Sequence, residues 1–379
     1  MKTAQQVLLD ESAPITLSAK PHGAGQLVLI FGPTARLHSP GFLAAIRAAF
    51  PPETLLVGCS TSGEITRDGA LDGAVTLTSL EFAKATLRVE CAPVPEMAGS
   101  RAAGGALGAA LRGPELKCVM VFSDGLHVNG SDVVKGLRAE LGDGIVISGG
   151  LAGDGTAFAR TVILAGAEAR ENSIVAVGFY GAGLLARSFS ASGWQPFGNL
   201  LQVTRSSGSV VHEFDGRRAL DVYCKYLGDK AGQLPAAGLL HPVALQVSDK
   251  GGGLIRTLLA VDRDQGTLTF AGDVPEGGSV RLMQATFAQL IEGAGRAGCQ
   301  TSEANAPAPE FGLLISCVGR KLVLGSQTEL EIEAVAEQLP TCPHLTGFYS
   351  YGEIGFYEGS GSCELHNQTM TVTTLAECP

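Results

Sequence analysis

The chain has 379 residues, which is too long for one ordinary core and predicts two domains. Its formal net charge of −10, without any basic run, argues against a general nucleic-acid or anionic-membrane binder, because phosphate affinity depends mainly on Lys and Arg. With 45% hydrophobic and only 17% charged residues, the sequence has ample material for well-buried sheets.

The cysteines and the N-terminal segment bear on the cellular compartment. The nine cysteines are scattered, and Cys91, Cys118 and Cys317 lie within apolar runs, which is typical of buried, reduced thiols. Asp10 and Glu11 interrupt the N-terminal segment, so it does not resemble a secretory signal. No apolar stretch approaches the ~20 residues that a helix needs to cross a bilayer. We therefore expect a cytoplasmic protein without a membrane-inserted segment.

Short apolar runs bounded by glycine and proline predict the elements of the N-terminal half. Pro40, directly after Ser39, predicts the start of a helix, and Pro51 predicts its end. The predicted strands cover 26–31, 55–59, 75–80, 85–91, 117–122, 145–148, 161–165 and 174–179, and the predicted helices cover 41–50, 100–111 and 132–141.

The segment 194–208 is the predicted junction between a domain of residues 1–200 and a domain of residues 201–379. It mixes Pro196 and Gly198 with a serine-rich run, which is typical of a linker. Beyond it the sequence predicts three helices and three strands, two of which form a hairpin, over 217–227, 255–261, 267–270, 284–292, 311–317 and 329–339.

The order of these elements indicates the fold class. Ser326 and Glu329 form a capping-box pattern that predicts the start of the last helix. Frequent hairpins beside alternating strands and helices favour a mixed α/β (α+β) fold, in which mixed sheets are flanked by helices, over a purely parallel sheet.

Self-similarity is the most informative feature of the sequence. Three segments each predict a strand, a helix, a second strand, a turn and a third strand. In each segment the turn pairs a glycine with an acid, at Gly63-Glu64, Gly153-Asp154 and Gly352-Glu353. We interpret the three segments, of which the middle one is the weakest copy, as a partial internal duplication.

The repeated turns suggest where a ligand would bind. Open α/β sheets bind ligands at strand ends, because backbone N–H groups and loop side chains converge there. A single Gly-acid turn is explained equally well by a purely structural role, in which glycine adopts a positive φ and the acid caps nearby N–H groups. Repetition of the acid at three corresponding positions favours a site.

Two motifs carry a resemblance to a known family. GCSTSGEI (58–65) resembles the signature of the FIST N-terminal domain, and GFYSYGEIG (347–355) with ELHNQTMTV (364–372) resembles that of the FIST C-terminal domain. GGLAGDG (149–155) and HEFDGRRALDVYCKYLG (212–228) follow in the expected order between them. The chain thus resembles a stand-alone FIST protein over nearly its whole length.

The resemblance implies a sensory module of signalling proteins that binds small ligands such as amino acids. Relatives often carry output domains such as kinases, chemoreceptor segments or an F-box, and no residues remain here for one. We therefore expect the signal to pass to a separate signalling protein.

A ligand with an amine and a carboxylate needs acids for the first group and N–H or hydroxyl donors for the second. Glu64, Asp154 and Glu353 are candidates for the ammonium, whereas Arg320 is a candidate for a bidentate clamp on the carboxylate. If the hypothesis holds, these side chains converge on one pocket. The candidate ligand-binding residues are Cys59, Ser60, Thr61, Ser62, Glu64, Asp154, Arg320, Tyr351, Glu353, His366 and Asn367.

Other function classes stay open beside the sensor. A hydrolase or acyl transferase would use Cys59 as nucleophile and His366 as base, but the G-x-S-x-G elbow is absent. A protein-interaction adaptor scaffold is the third class. The C-x-H spacing at Cys342 and His344 is poor for a shared zinc ion. We expect no catalytic residue, no metal and no cofactor.

Overall fold

The first of four sheets forms around a parallel pair of strands in the computed structural model, which describes residues 1–10, 13–17, 25–245, 253–302, 307–357 and 362–378. An antiparallel strand lies beside the pair on one side and an antiparallel hairpin on the other. In spatial order the sheet contains β1 (Lys2–Leu8), β6 (Val75–Phe82), β2 (Gly25–Gly32), β3 (Leu55–Ser60), β10 (Ile163–Ala165) and β11 (Glu168–Arg170).

The second and third sheets repeat this order. The second contains β7 (Thr86–Pro93), β12 (Ser173–Tyr180), β8 (Leu116–Ser123), β9 (Val146–Leu151), β24 (Gly352–Phe356) and β25 (Cys363–His366). The third contains β13 (Leu184–Ala191), β26 (Met370–Glu377), β22 (Phe311–Cys317), β23 (Leu345–Ser350), β4 (Glu64–Thr66) and β5 (Gly69–Leu71). The predicted internal duplication therefore corresponds to three sheets with the same arrangement of strands.

The hairpin that completes each sheet is contributed by a different repeat. After β3 the chain leaves the first sheet and adds β4–β5 to the third; after β23 it leaves the third and adds β24–β25 to the second. After β9 it leaves the second and adds β10–β11 to the first. The three sheets are thus closed into a ring, and each predicted Gly-acid turn lies where the chain crosses from one sheet to another.

A glycine on the second parallel strand of each sheet allows this packing. A Cβ atom at Gly58, Gly149 or Gly347 would overlap the carbonyl oxygen of the residue opposite on the neighbouring strand. Larger residues at these positions would push the parallel strands apart.

The ring encloses a shared apolar core. One phenylalanine from each sheet meets at its centre: the Phe31 ring lies 5.5 Å from that of Phe122 and 4.8 Å from that of Phe348, between centroids. All three side chains are fully buried, and such aromatic contacts add to the apolar area removed from water. This core joins the three repeats into one body, here called the three-sheet body.

Helices cover the outer faces of the sheets. They are α1 (Thr34–Leu37), α2 (Pro40–Ala49), α3 (Ser100–Leu111), α4 (Gly130–Leu141), α6 (Phe287–Gln300), α7 (Val318–Leu324) and α8 (Thr328–Gln338). Gly104 of α3 and Gly136 of α4 bring the backbones of these two helices into contact, because a Cβ at either position would overlap a backbone oxygen of the partner helix.

A fourth sheet is inserted between β13 and α6. It has its own core around Phe214, Tyr223 and Phe270, and we call residues 195–284 the inserted domain. Its elements are β14 (Gln195–Ser207), β15 (Val210–Phe214), β16 (Arg217–Arg218), α5 (Ala219–Leu227), β17 (Val243–Leu245), β18 (Leu254–Arg256), β19 (Leu258–Asp262), β20 (Thr267–Phe270) and β21 (Ser279–Gln284).

The mixed α/β prediction is confirmed, whereas two details of the predicted elements are wrong. The segment 194–208, predicted as a linker, is mostly the long strand β14, because β15 and β21 supply ladder partners on its two sides. The boundary at residue 200 falls within β14, so the division into 1–200 and 201–379 stays a prediction. Ser326 does not cap α8, because Gly325–Gln327 forms a short 3-10 turn and Gln327 occupies the cap position.

Candidate functional site

A polar cleft of about 610 Å³ opens at the crossing from β3 to β4. Its walls come from the segment after β2, from the β3–β4 turn, and from the segment that follows β9. It is lined by Pro33, Thr34, Ala35, His38, Ser39, Thr61, Ser62, Gly63, Glu64, Asp72, Gly73, Asp154, Gly155, Ala157 and Arg160.

Glu64 is the buried acid of this cleft. The Thr61 hydroxyl donates a hydrogen bond of 2.5 Å to Oε1 of Glu64, whereas Oε2 is buried and has no hydrogen-bond partner among the described residues. Burial raises the pKa of Glu64 to about 7, although the Thr61 hydrogen bond and the nearby Lys321 ammonium lower it. Glu64 therefore lines the cleft with a buried carboxyl oxygen that lacks a partner among the described residues, whereas such atoms in other proteins nearly always have one.

Lys321 of α7 packs against the turn between β3 and β4. Its Nζ donates to the Ser62 carbonyl oxygen at 2.9 Å, forms a close ion pair with Asp72, and lies 5.1 Å from the centre of the Tyr349 ring. Gly63 has a φ of +129°, and a Cβ there would overlap the Lys321 ammonium. Sequence reasoning selected the neighbouring Arg320 and missed Lys321, because only the direction of each side chain from α7 distinguishes them.

Asp154 lines the cleft but has a structural role. Its carboxylate accepts N–H groups of Phe158, Ala159 and Arg160 at 2.8–2.9 Å, and it also accepts the Tyr351 hydroxyl. Burial alone would raise its pKa, but these hydrogen bonds outweigh burial and hold the pKa below its usual value. Asp154 is therefore an ionised cap of the 154–160 turn.

Strand register shows that the third acid is not equivalent to the other two. Gly149 pairs with Val121 as Gly58 pairs with Ile30, so Asp154 corresponds to Gly63 and not to Glu64. The predicted set of three corresponding acids thus reduces to two, Glu64 and Glu353.

Glu353 occupies the position in the third repeat that Glu64 occupies in the first. The Ser350 hydroxyl donates to Oε1 at 2.7 Å, and the backbone N–H and hydroxyl of Thr369 donate to Oε2 at 3.1 and 2.9 Å. Burial raises the pKa of Glu353 to about 8 despite these donors. Both oxygens have partners, and the residue does not line the cleft.

The predicted carboxylate clamp at Arg320 is wrong. Its guanidinium is fully buried and binds Glu331 through Nε at 2.9 Å and Nη2 at 2.8 Å. The same group donates to the carbonyl oxygens of Ser192 at 2.6 Å and Leu290 at 2.8 Å. Burial made these internal partners necessary, so Arg320 ties α6 and α8 to the body and does not reach a ligand.

Cys59 and His366 do not form a nucleophile–base pair. Cys59 lies in the shared core, where burial raises the pKa of its thiol well above the usual value. His366 lies in another sheet, with Nε2 3.1 Å from the Gly355 carbonyl oxygen and its ring against Tyr357. Burial lowers the pKa of His366 to about 3, so it is a neutral core histidine.

The structure divides the predicted site residues among several places. Ser60 accepts the Val162 N–H at 3.0 Å and is fully buried. Tyr351 and Asn367 line a second cavity, between the three-sheet body and the inserted domain. Convergence on one pocket is limited to the residues that line the polar cleft, which are Thr61, Ser62, Glu64 and Asp154.

Neither a metal-binding cluster nor a membrane-crossing helix is found in the described ranges. No group of three or more His, Cys, Asp or Glu side chains there is arranged to hold a metal ion. In the same ranges, no helix combines the length and the apolar character that crossing a membrane requires.

Comparison with known proteins identifies both halves of the chain. The model of the FIST N domain matches residues 26–217, and the model of the FIST C domain matches residues 219–356. No curated protein matches the chain. Among solved structures, the crystal structure of cyanuric acid hydrolase from A. caulinodans is similar, with 11% identity and a TM-score of 0.36, over 99% of this chain and 98% of that chain. At that level of similarity neither fold nor function follows from it.

Proposed function

Because the chain belongs to the FIST family, we propose that it is a sensory module that binds a small, polar, ammonium-bearing ligand in the polar cleft. FIST domains are sensory modules that bind small ligands, and the proposal assigns the ligand's place and its charge. The observation that carries it is Glu64, a residue of the cleft lining whose buried Oε2 has no partner among the described residues.

Charge balance around the cleft favours an ammonium group. Asp72 is paired with Lys321, Asp154 is bonded by the turn N–H groups, and Arg160 is paired with Glu171 at 2.5 Å. Glu64 is the acid whose charge is least compensated, and a bound ammonium would stabilise its ionised form. Ser39 and Arg160 also line the cleft, and their side chains carry O–H and N–H groups of the kind that bind a carboxylate, although Arg160 is shared with Glu171. A free amino acid combines both groups.

We further propose that the signal passes to a separate cytoplasmic protein and that the chain has no catalytic centre. The buried thiol of Cys59 supports this, because catalytic cysteines are accessible and have depressed pKa values. Iodoacetamide labelling of the native protein followed by mass spectrometry is expected to modify the exposed Cys299 and to leave Cys59 unmodified. Labelling of Cys59 at a rate equal to or above that of Cys299 would favour the hydrolase.

A thermal-shift screen of amino acids tests the ligand assignment. A ligand at 100 times its Kd adds ~2.7 kcal/mol of stability, which is readily visible as a Tm shift. Glu64→Gln is expected to remove the shift, because a neutral amide cannot pair with an ammonium. Glu353→Gln is the matched control, since that residue has the same position in its repeat and lines neither cavity. A shift that survives in Glu64→Gln would overturn the assignment.

Proton release gives a second test of the same contact. With a pKa of about 7, Glu64 is partly protonated at pH 7, and an ammonium ligand would displace that proton. Calorimetry of the bound amino acid in phosphate and in Tris buffer is expected to give different apparent enthalpies for the native protein. Equal enthalpies in both buffers would show that Glu64 does not change its protonation on binding.

A further inference from the structure

A second cavity, of about 700 Å³, lies between the three-sheet body and the inserted domain. We call it the apolar cavity, because large aliphatic and aromatic side chains from both sides line it. The body contributes Leu126, Val318 and Leu322, and the inserted domain contributes Leu239, Leu258 and Phe270. Its volume lies in the range of cavities that enclose drug-sized molecules.

Solvent reaches several apolar side chains of this cavity. Met97 and Phe158 are each 50% exposed, Leu259 is 46% exposed and Leu322 is 45% exposed, and all four line it. Clustered apolar surface of this kind marks a binding site more often than scattered single residues do, because covering it removes apolar area from water.

Two buried oxygens of the cavity wall lack hydrogen-bond partners. They are Oδ1 of Asn367 and Oγ1 of Thr257, in residues that are 1% and 5% exposed, and neither has a partner in the described part of the chain. Buried polar atoms are normally hydrogen-bonded, so a donor that reached one of these oxygens from the cavity would supply a missing hydrogen bond. Asn367 was predicted from the sequence as a ligand-binding residue, but the sequence did not predict this cavity.

The electrostatics of the cavity favour a neutral occupant. Asp273 is the only charged residue among the described residues that line it, and its carboxylate is paired with Lys135 at 3.4 Å. A charged ligand would lose its hydration without gaining an opposite charge.

We propose that the apolar cavity is a second ligand site, which takes a neutral, largely apolar molecule with one N–H or O–H group that donates to Asn367. The site is separate from the polar cleft and does not depend on the ligand proposed there. The segment 154–160 lies between the two: Asp154 and Gly155 line the cleft, whereas Phe158 lines the apolar cavity.

Titration of the full chain with the fluorescent probe N-phenyl-1-naphthylamine tests the site, since the probe is neutral, apolar and has one N–H. We expect saturable fluorescence enhancement with one probe per chain. Leu322→Glu, on the body, and Leu259→Glu, on the inserted domain, are expected to raise the Kd at least about tenfold, because each places a charge against the apolar probe. Both positions are exposed, so the variants are expected to fold, as circular dichroism would verify.

Leu330→Glu is the matched control. Leu330 lies on α8 with 41% exposure, close to that of Leu322, but does not line the cavity. Its Kd is expected to equal that of the native protein, and so is the Kd of Glu64→Gln, which separates this site from the polar cleft. Enhancement that is linear and unsaturable, or an unchanged Kd in both Leu322→Glu and Leu259→Glu, would overturn the proposal.

Competition with 1-benzylnaphthalene, in which CH₂ replaces the probe's N–H, tests the hydrogen bond. The native protein is expected to prefer the amine by about three- to tenfold, the usual effect of one hydrogen bond. Asn367→Leu is expected to remove this preference while it retains binding of both compounds. A preference that is unchanged in Asn367→Leu would show that Asn367 is not the acceptor.

Discussion

The turns at Glu64 and Glu353 hold equivalent glutamates in two repeats of one chain, but only one of them faces a cleft. In both, a hydroxyl three residues earlier donates to Oε1, from Thr61 and from Ser350. In the third repeat Thr369 satisfies Oε2 twice, whereas Oε2 of Glu64 has no partner among the described residues. The same local motif thus satisfies both oxygens of Glu353 but leaves one oxygen of Glu64 without a partner among the described residues.

One position accounts for much of this difference. Thr369 lies directly before Met370, which pairs with Ser316 of the neighbouring strand. In the first repeat, the register of β2 and β6 places Ala74 at the position that corresponds to Thr369. Ala74 has no hydroxyl, and Oε2 of Glu64 accepts no hydrogen bond from the described residues. The missing hydroxyl at this position thus accounts for one of the two donors that Oε2 of Glu353 has and Oε2 of Glu64 lacks.

The largest loss of stability is expected when the hydrogen bonds of Glu353 are removed. Glu353→Ala leaves the buried donors of Ser350 and Thr369 unsatisfied and is expected to cost about 3–5 kcal/mol in the free energy of unfolding. Glu64→Ala loses one hydrogen bond beside a cleft that water can enter, and about 1 kcal/mol is expected. Urea denaturation at pH 6.5 measures both. Equal costs would contradict the distinction between the two turns.

Stability is expected to depend on pH through the same two groups. Both folded pKa values, about 7 for Glu64 and about 8 for Glu353, lie above the unfolded value of 4.5. Each group thus contributes stability that is fully present below pH 4.5 and is lost as pH rises through its folded pKa. The slope reaches about 1.4 kcal/mol per pH unit for each group while its folded form is protonated and its unfolded form is not.

Urea denaturation of the variants at pH 5.5, 6.5, 7.5 and 8.5 separates the two contributions. The difference in slope between the native protein and Glu64→Gln is expected to end near pH 7, and that for Glu353→Gln near pH 8. A saturating amino-acid ligand is expected to remove the Glu64 contribution alone. Identical pH profiles for the native protein and both variants would show that neither carboxyl is protonated in the fold.

The sequence predicted what depends on neighbours along the chain. Strand Phe311–Cys317 and helix Ser100–Leu111 were both predicted with their observed bounds, because their apolar patterns and end signals are local. The repeat was visible for the same reason. Each of the two FIST motifs begins with a glycine, Gly58 in one and Gly347 in the other. At both positions the adjacent strand lies so close that no side chain fits.

What the sequence could not show depends on distant contacts. The exchange of hairpins among sheets pairs β4 with β23, almost three hundred residues away, and no local pattern records it. The sequence motif places Asp154 at the position of the two glutamates. The strand register instead places it one position earlier in the repeat. The hydrogen bond between Arg320 and Glu331 depends on how α7 packs against α8. Both cavities arise between segments that are remote in sequence.

The smallest expected effect comes from a substitution that makes the third repeat resemble the first. Thr369→Ala removes the hydroxyl that donates to Oε2 of Glu353 and keeps the backbone N–H, so a cost of about 1 kcal/mol in the free energy of unfolding is expected. The pKa of Glu353 is expected to rise, since a donor to the charged form is lost. Thr371→Ala is the control, because this neighbouring buried hydroxyl bonds Ser190 instead of Glu353. If urea denaturation shows the same pH profile for Thr369→Ala as for Thr371→Ala, the hydroxyl does not tune the glutamate, and the difference between the two turns must arise from the backbone alone.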